Sequence, residues 1–164
     1  MDSPQDTHKI ALSRARINEE IRSHAMTFLI AGGICMYFGF AWVIDAPTNA
    51  DERATELWYN IDYAFQWILR GVGALFLLAA ALAHSGQRLA LWFGMVAEGI
   101  FVLLMLTMAL ETTLETRAAG AGFDPFVILF LILAVMGMPS IARLWKLCRA
   151  AAAISAVPPE TPIE

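Results

Sequence analysis

Apolar residues fall into four blocks along the chain, and each block is about as long as a helix that crosses a membrane. The blocks cover residues 25–44, 63–83, 89–110 and 125–144. A helix needs about 20 mostly apolar residues to cross the roughly 30 Å hydrocarbon core of a bilayer. We therefore predict an all-α fold, an integral membrane four-helix bundle built from two antiparallel transmembrane hairpins.

Polar segments flank the four blocks and predict the ends of the domain. Residues 1–24 carry isoleucines on one helical face and charges mostly elsewhere, which predicts an amphipathic cytoplasmic helix at the membrane surface. A docking helix for a soluble partner is the alternative interpretation. The four spans make up a transmembrane domain over 25–149, and the proline-containing segment 150–164 is predicted to be a flexible cytoplasmic tail.

Short polar signals predict how the blocks are joined. The connection over 84–88, which contains Gly86, is so short that the second and third spans must form a tight antiparallel hairpin. Asp124 followed by Pro125 is typical of an N-cap and the first position of a helix, here the fourth span. Pro139 is predicted to kink or loosen that span.

Composition places the chain in the membrane class, and the basic residues predict its orientation. Of the 164 residues 59% are apolar, with a mean hydropathy of +0.60, against roughly 45–50% apolar in soluble domains. Since Lys and Arg favour the cytoplasmic side, we predict a bacterial inner-membrane protein with both termini in the cytoplasm. Eight of the eleven basic residues lie at the predicted inner ends: Lys9, Arg14, Arg16, Arg22, Arg88, Arg143, Lys146 and Arg149.

An arginine interrupts the second block, and it is the strongest candidate for chemistry. Arg70 is predicted to lie roughly 12 Å inside the span, since a helix rises 1.5 Å per residue. A charge at the bilayer centre costs at least about 2.5 to 3.5 kcal/mol, so an uncompensated arginine there is unfavourable. Glu98 is the only acid inside a block, on the next span. We predict that Arg70 and Glu98 form an intramembrane charge pair.

Small residues beside the two charges predict close helix contact. Four glycines are predicted to pack the second span against the third, because small residues let helices approach closely. Gln66 and Thr107 are predicted to complete the hydrogen bonding of the charge pair. The four predicted packing positions are Gly71, Gly73, Gly94 and Gly99.

The sequence offers little support for a metal or haem site, a disulfide or a catalytic site. The three histidines, His8, His24 and His84, avoid the middle of the spans, which argues against haem or a metal site. The two cysteines, Cys35 and Cys148, form no CxxC motif, and we predict no disulfide. No catalytic set, phosphate-binding loop or basic aromatic surface occurs, so no catalytic residue, cofactor, metal or nucleic-acid partner is predicted.

These patterns predict a multi-pass inner-membrane protein that acts as a packing, assembly or accessory component of a membrane complex. Its predicted partners are the lipid bilayer and either further copies of the chain or other membrane-protein subunits. The alternative is a small oligomeric proton- or cation-coupled transporter or channel that uses Arg70 and Glu98. A cofactor-binding redox or lipid-modifying enzyme is the third hypothesis.

Overall fold

The computed structural model describes residues 4–41, 52–118, 120 and 124–155, and these ranges contain four helices and no strand. The helices are α1 (Pro4–Ala41), α2 (Glu52–His84), α3 (Leu89–Ala118) and α4 (Pro125–Ser155). Each contains a stretch long and apolar enough to cross a membrane. The prediction of an all-α chain with four such helices is therefore confirmed.

Helix α1 is the longest of the four described helices. It begins at Pro4 and runs without a break to Ala41, so the amphipathic segment and the first span are one helix. Ile17 and Ile21, from the amphipathic segment, are 8% and 0% exposed. This segment therefore contributes to the core of the bundle as well as to its surface.

Helix α4 contains Pro139 and continues past the predicted start of the flexible tail. It continues through Pro139, although proline removes one backbone hydrogen bond from a helix. It ends only at Ser155, and Ala151 is buried at 2% exposure. The helix thus overlaps the start of the predicted flexible tail, and residues 156–164 lie outside the described residues.

The connection between α2 and α3 is a glycine-terminated helix end. Gly86 adopts a φ of 72°, which is a left-handed conformation that glycine tolerates without strain. The backbone N–H of Gly86 donates to the Ala83 carbonyl at 2.9 Å, and that of Gln87 donates to the Leu82 carbonyl at 2.9 Å. These two bonds form a Schellman motif, which satisfies carbonyl groups at the end of α2. The chain then turns directly into α3.

Asp124 begins α4 as the sequence predicted. Its Oδ1 accepts a hydrogen bond from the Phe126 N–H at 2.9 Å, and its carbonyl accepts one from the Val127 N–H at 3.2 Å. Pro125 occupies the first helical position, where a missing N–H costs nothing. The prediction of an N-cap followed by proline is confirmed.

Helices α1 and α2 pack closely because glycines on each face residues of the other. A Cβ added to Gly32 would lie 2.9 Å from Leu77 Cγ, and one added to Gly73 would lie 2.7 Å from Met36 Cγ. Later positions in α1 contact earlier positions in α2, so the two helices run antiparallel. A face of small residues of this kind is a common way for membrane helices to approach each other.

The buried apolar residues form two clusters at opposite ends of the bundle. The four-helix cluster contains residues of all four helices, among them Ile21, Phe28, Ala83, Leu91 and Leu144. The three-helix cluster contains residues of α2, α3 and α4 but none of α1: Phe65, Leu69, Val102, Leu104, Met105, Ala109, Val127, Phe130 and Ala134. Among the described residues, helix α1 therefore contributes to only one of the two clusters.

The glycines of α2 allow a matched test of this packing. We expect Gly73→Leu to lower the free energy of unfolding by about 1 to 3 kcal/mol, because the new side chain would overlap Met36. Gly71→Leu is the control, since a Cβ at Gly71 meets nothing within 4 Å. Thermal melting of both variants in detergent measures the difference. Equal stability of the two variants would contradict the α1–α2 packing.

Candidate functional site

Arg70 binds the end of helix α1 rather than Glu98 of helix α3. Its Nε donates a hydrogen bond to the Gly39 carbonyl at 2.7 Å. Its Nη2 donates to Oε1 of Gln66, one turn earlier on α2, at 3.2 Å. The predicted role of Gln66 as a hydrogen-bond partner of Arg70 is confirmed. The guanidinium therefore joins two helices through a backbone oxygen.

The close approach of Arg70 to α1 depends on the absence of a side chain at Gly39. A Cβ there would lie 2.9 Å from Arg70 Cγ and 3.1 Å from the Arg70 backbone nitrogen. Gly39 also lies in the last turn of α1. The carbonyl groups of a last turn lack internal partners and carry the negative end of the helix dipole. Arg70 supplies both a donor and a positive charge at that position.

Two aromatic rings cover the charge of Arg70. Its Cζ lies 4.3 Å from the centroid of the Phe40 ring and 5.1 Å from that of Trp67. Both distances are within the roughly 6 Å range of cation–π attraction. The two rings are themselves largely exposed, at 65% and 54%. They stand between the guanidinium and the surroundings of the bundle, which lowers the cost of a charge in an apolar medium.

Glu98 forms a second polar contact, on the opposite side of the bundle. Its Oε1 accepts a hydrogen bond from the Ser140 hydroxyl of α4 at 2.6 Å. Its Oε2 is buried and has no hydrogen-bond partner among the described residues. A carboxyl group with one bound and one free buried oxygen can hold a proton on the free oxygen, which removes its charge.

The predicted charge pair of Arg70 with Glu98 is wrong. Each residue has other partners, Arg70 on α1 and Glu98 on α4, and no hydrogen bond or ion pair joins them. The reason is the rotation of α2 about its axis. Gln66, Arg70 and Gly73 form the stripe that faces α1, whereas Leu69 faces α3 and α4 in the three-helix cluster. The similar predicted depth of Arg70 and Glu98 in neighbouring spans was therefore not enough to predict a contact between their side chains.

The predicted packing glycines divide into two groups. Gly73 and Gly94 do lie against a neighbouring helix, but that helix is α1: Gly73 meets Met36 and Gly94 meets Phe28. Gly71 and Gly99 have nothing within 4 Å of an added Cβ, so they do not pack against another helix. The predicted contact of all four glycines between α2 and α3 is wrong.

Thr107 has a local role instead of the predicted one. Its hydroxyl donates to the Leu103 carbonyl of its own helix at 3.0 Å and takes no part in binding Arg70 or Glu98. Hydroxyl groups within helices commonly bond to the carbonyl one turn earlier. Thr107 therefore adds no link between helices.

The hydrogen-bond partners Gly39 and Ser140 were not predicted from the sequence. Gly39 acts through its carbonyl oxygen, which no pattern of side chains reveals. Ser140 could have been found, because it is the single polar side chain between Pro125 and Arg143 in the fourth block. A lone hydroxyl in one span and a lone acid in another are a natural pair, since each buried polar group needs a partner.

The remaining candidates lie apart from these contacts. Cys35 and Cys148 are both free thiols buried in the four-helix cluster. His24 stacks on Phe28 with ring centroids 5.8 Å apart. Within the described ranges, no group of three or more His, Cys, Asp or Glu side chains could hold a metal ion.

The chain matches no known protein family, no curated protein and no solved structure.

A double-mutant cycle measures whether the two charged residues interact. We expect the costs of Arg70→Met and Glu98→Leu to add within about 0.5 kcal/mol, because they contact different helices. Arg70→Met alone should cost about 1.5 to 3 kcal/mol, the range for a hydrogen bond to a charged group. Thermal or denaturant unfolding in detergent gives these values.

Glu98→Leu with Ser140→Ala is the matched control for this cycle. These two residues share a hydrogen bond, so their costs should not add. A coupling above about 1 kcal/mol between Arg70 and Glu98 would restore the charge pair that the sequence suggested.

Proposed function

We propose that the chain is a multi-pass protein of the bacterial inner membrane that acts as a packing, assembly or accessory component of a membrane complex. The observation that carries this proposal is the engagement of Arg70. Its guanidinium is held by the Gly39 carbonyl and the Phe40 ring of α1, and by the Gln66 amide and the Trp67 ring of its own helix α2. A charge fixed in this way serves the architecture of the bundle, and Arg70 is not free to gate a path.

The proposed orientation, with both termini in the cytoplasm, is supported by where the basic residues meet. Arg22 approaches Gly86, with its Nε 3.6 Å from the position of an added Cβ. Arg88 donates from Nη1 to the Ala151 carbonyl at 2.8 Å. These contacts bring the proposed basic inner ends of the four spans together, at the end of the bundle that holds the four-helix cluster. Basic residues near span ends favour the cytoplasmic side.

The outer helices offer large apolar faces to lipid or to other subunits. Among the apolar stretches that could cross a membrane, those of α1 and α4 are the least buried. Tyr37 and Met136, one on each helix, are 67% and 68% exposed. We propose that these faces contact the bilayer and, in a complex, either a second copy of the chain or the helices of other subunits.

One labelling experiment tests both the orientation and the accessory role. Single cysteines are placed at Gly120 or Gln87 in a background with Cys35→Ala and Cys148→Ala. Intact cells are treated with a membrane-impermeant biotin maleimide, solubilised in mild detergent and passed over streptavidin. We expect Gly120→Cys to be captured together with partner subunits in fixed stoichiometry, because this position is proposed to face outward.

Gln87→Cys is the matched control and should be captured only after the cells are made permeable. Capture of the Gln87 variant from intact cells would reverse the proposed orientation. Recovery of the Gly120 variant as an isolated monomer would contradict the accessory role.

A proton- or cation-coupled transporter is the second candidate, and the free oxygen of Glu98 favours it. Oε2 of this residue is buried and has no hydrogen-bond partner in the described part of the chain, while Oε1 accepts the bond from the Ser140 hydroxyl. Ionisable groups inside a membrane often mark ion paths. Purified protein in liposomes would then carry protons or cations by itself, and Glu98→Gln would abolish the flux. The accessory role predicts no flux in either case.

A further inference from the structure

A cleft opens between α1 and α4 at the basic end of the bundle. Its volume is about 480 Å³, and it is lined by Glu20, Ser23 and His24 of α1 and by Arg143, Lys146, Leu147 and Ala150 of α4. This volume lies within the roughly 300 to 1,000 Å³ of sites for small molecules. The two helices come from opposite ends of the chain, so the cleft exists only in the folded bundle.

The cations of the cleft are not used by the fold. Neither Arg143 nor Lys146 forms a hydrogen bond or ion pair with another residue in the described part of the chain, and both are exposed. By contrast, Arg149 lies with its Cζ 5.0 Å from the Trp145 ring, and Arg88 bonds to Ala151. Arg143 and Lys146 are therefore the basic side chains of α4 that remain available to a ligand.

The charge of the cleft matches a singly charged anion. Arg143 and Lys146 supply two positive charges and Glu20 one negative charge, which leaves one net positive charge when His24 is neutral. A phosphodiester carries one negative charge and would balance it. Inorganic phosphate near pH 7 is partly a dianion, which would leave the occupied cleft with a net negative charge. The Ser23 hydroxyl, which now donates to the Glu20 carbonyl at 2.7 Å, can turn towards a ligand oxygen.

Aromatic side chains place the cleft at the depth of lipid headgroups. Trp145 packs edge-on against Trp92 of α3 with ring centroids 6.3 Å apart, and both rings are about half exposed. Tryptophan is enriched where a membrane meets water, because its ring is apolar and its N–H is polar. The cleft lies beside Trp145 on the same turns of α4. Basic pockets between spans on the cytoplasmic side are suited to anionic headgroups.

We propose that the cleft between α1 and α4 binds the phosphodiester of an anionic phospholipid, with Arg143 and Lys146 as the anion-binding groups. This inference rests on the proposed insertion of the chain in a membrane. Arg143 can present two N–H groups to the phosphate, while Lys146 adds a point charge. Leu147 and Ala150 provide an apolar wall for the glycerol and the first carbons of the acyl chains. A lipid in this position would bridge the two outermost helices of the bundle.

Native mass spectrometry of protein taken from nanodiscs tests this site. The nanodiscs contain equal parts of phosphatidylglycerol and phosphatidylcholine. We expect the wild-type chain to retain phosphatidylglycerol in preference to phosphatidylcholine. The double variant Arg143→Gln with Lys146→Gln should bind phosphatidylglycerol about tenfold to thirtyfold more weakly, since each basic residue near the surface contributes on the order of 1 kcal/mol to attraction for anionic lipid.

The matched control removes the same charge from the same end of the bundle. Arg16→Gln with Arg22→Gln changes two exposed basic residues that do not line the cleft, so it should retain phosphatidylglycerol as the wild type does. Lys146→Arg keeps the charge and should also retain it, which separates loss of the site from loss of folding. Equal retention by both double variants, or equal loss from both, would overturn the proposal.

Two further arms separate the source of the anion and the membrane premise. Inorganic phosphate added in millimolar amounts should not displace the lipid; stabilisation by phosphate alone, equal to that by phosphatidylglycerol, would overturn the lipid assignment. An alkaline carbonate wash of cell membranes should leave the chain in the pellet. Release by that wash would refute the proposed membrane insertion itself, whatever the lipid measurements give.

Discussion

The bond from Arg70 to the Gly39 carbonyl is the contact that the arrangement of α1 and α2 depends on. It joins the end of one helix to the middle of the next through a part-buried hydrogen bond of 2.7 Å. The glycine contacts at Gly32 and Gly73 continue the same antiparallel register away from this bond. A charge, a helix end and a close-packed face are therefore parts of one interface.

This interface explains why a charged residue is tolerated in an apolar helix. The cost of the charge is met by a charge-assisted hydrogen bond, by the negative end of a helix dipole and by two aromatic faces. None of these needs an acidic partner. Glu98 instead contacts α4, where its Oε1 accepts a hydrogen bond from the Ser140 hydroxyl. Arg70 and Glu98 therefore stabilise different helix pairs.

The sequence predicted elements well and their contacts poorly, for a physical reason. Apolar length, an N-cap at Asp124 and a turn glycine at Gly86 are local properties, and a pattern of residue types records them. Which side chains face a neighbouring helix depends on the rotation of the helix about its axis. Successive side chains point about 100° apart around that axis. Depth alone placed Arg70 near Glu98, but rotation directs it towards α1. A backbone acceptor such as Gly39 leaves no trace in residue type.

The same separation of roles extends to the basic end of the bundle. There some cations hold helices together, as Arg88 does through the Ala151 carbonyl, while Arg143 and Lys146 face an open cleft. An accessory protein whose outer helices α1 and α4 share an anionic lipid would present them to a partner in a fixed arrangement. The proposed lipid site and the proposed accessory role are thus physically compatible, and each has its own test.

The distance between Arg70 and its acceptor tests the central claim most directly. Solid-state NMR on the chain in lipid, with ¹⁵N in arginine side chains and ¹³C in either glycine carbonyls or the glutamate Cδ, measures that contact. Comparison with Arg70→Lys identifies the signal of Arg70. The account predicts a dipolar coupling from Arg70 Nε to a glycine carbonyl carbon, which disappears in the variant. A coupling from Arg70 to a glutamate Cδ, without one to a glycine carbonyl, would contradict it.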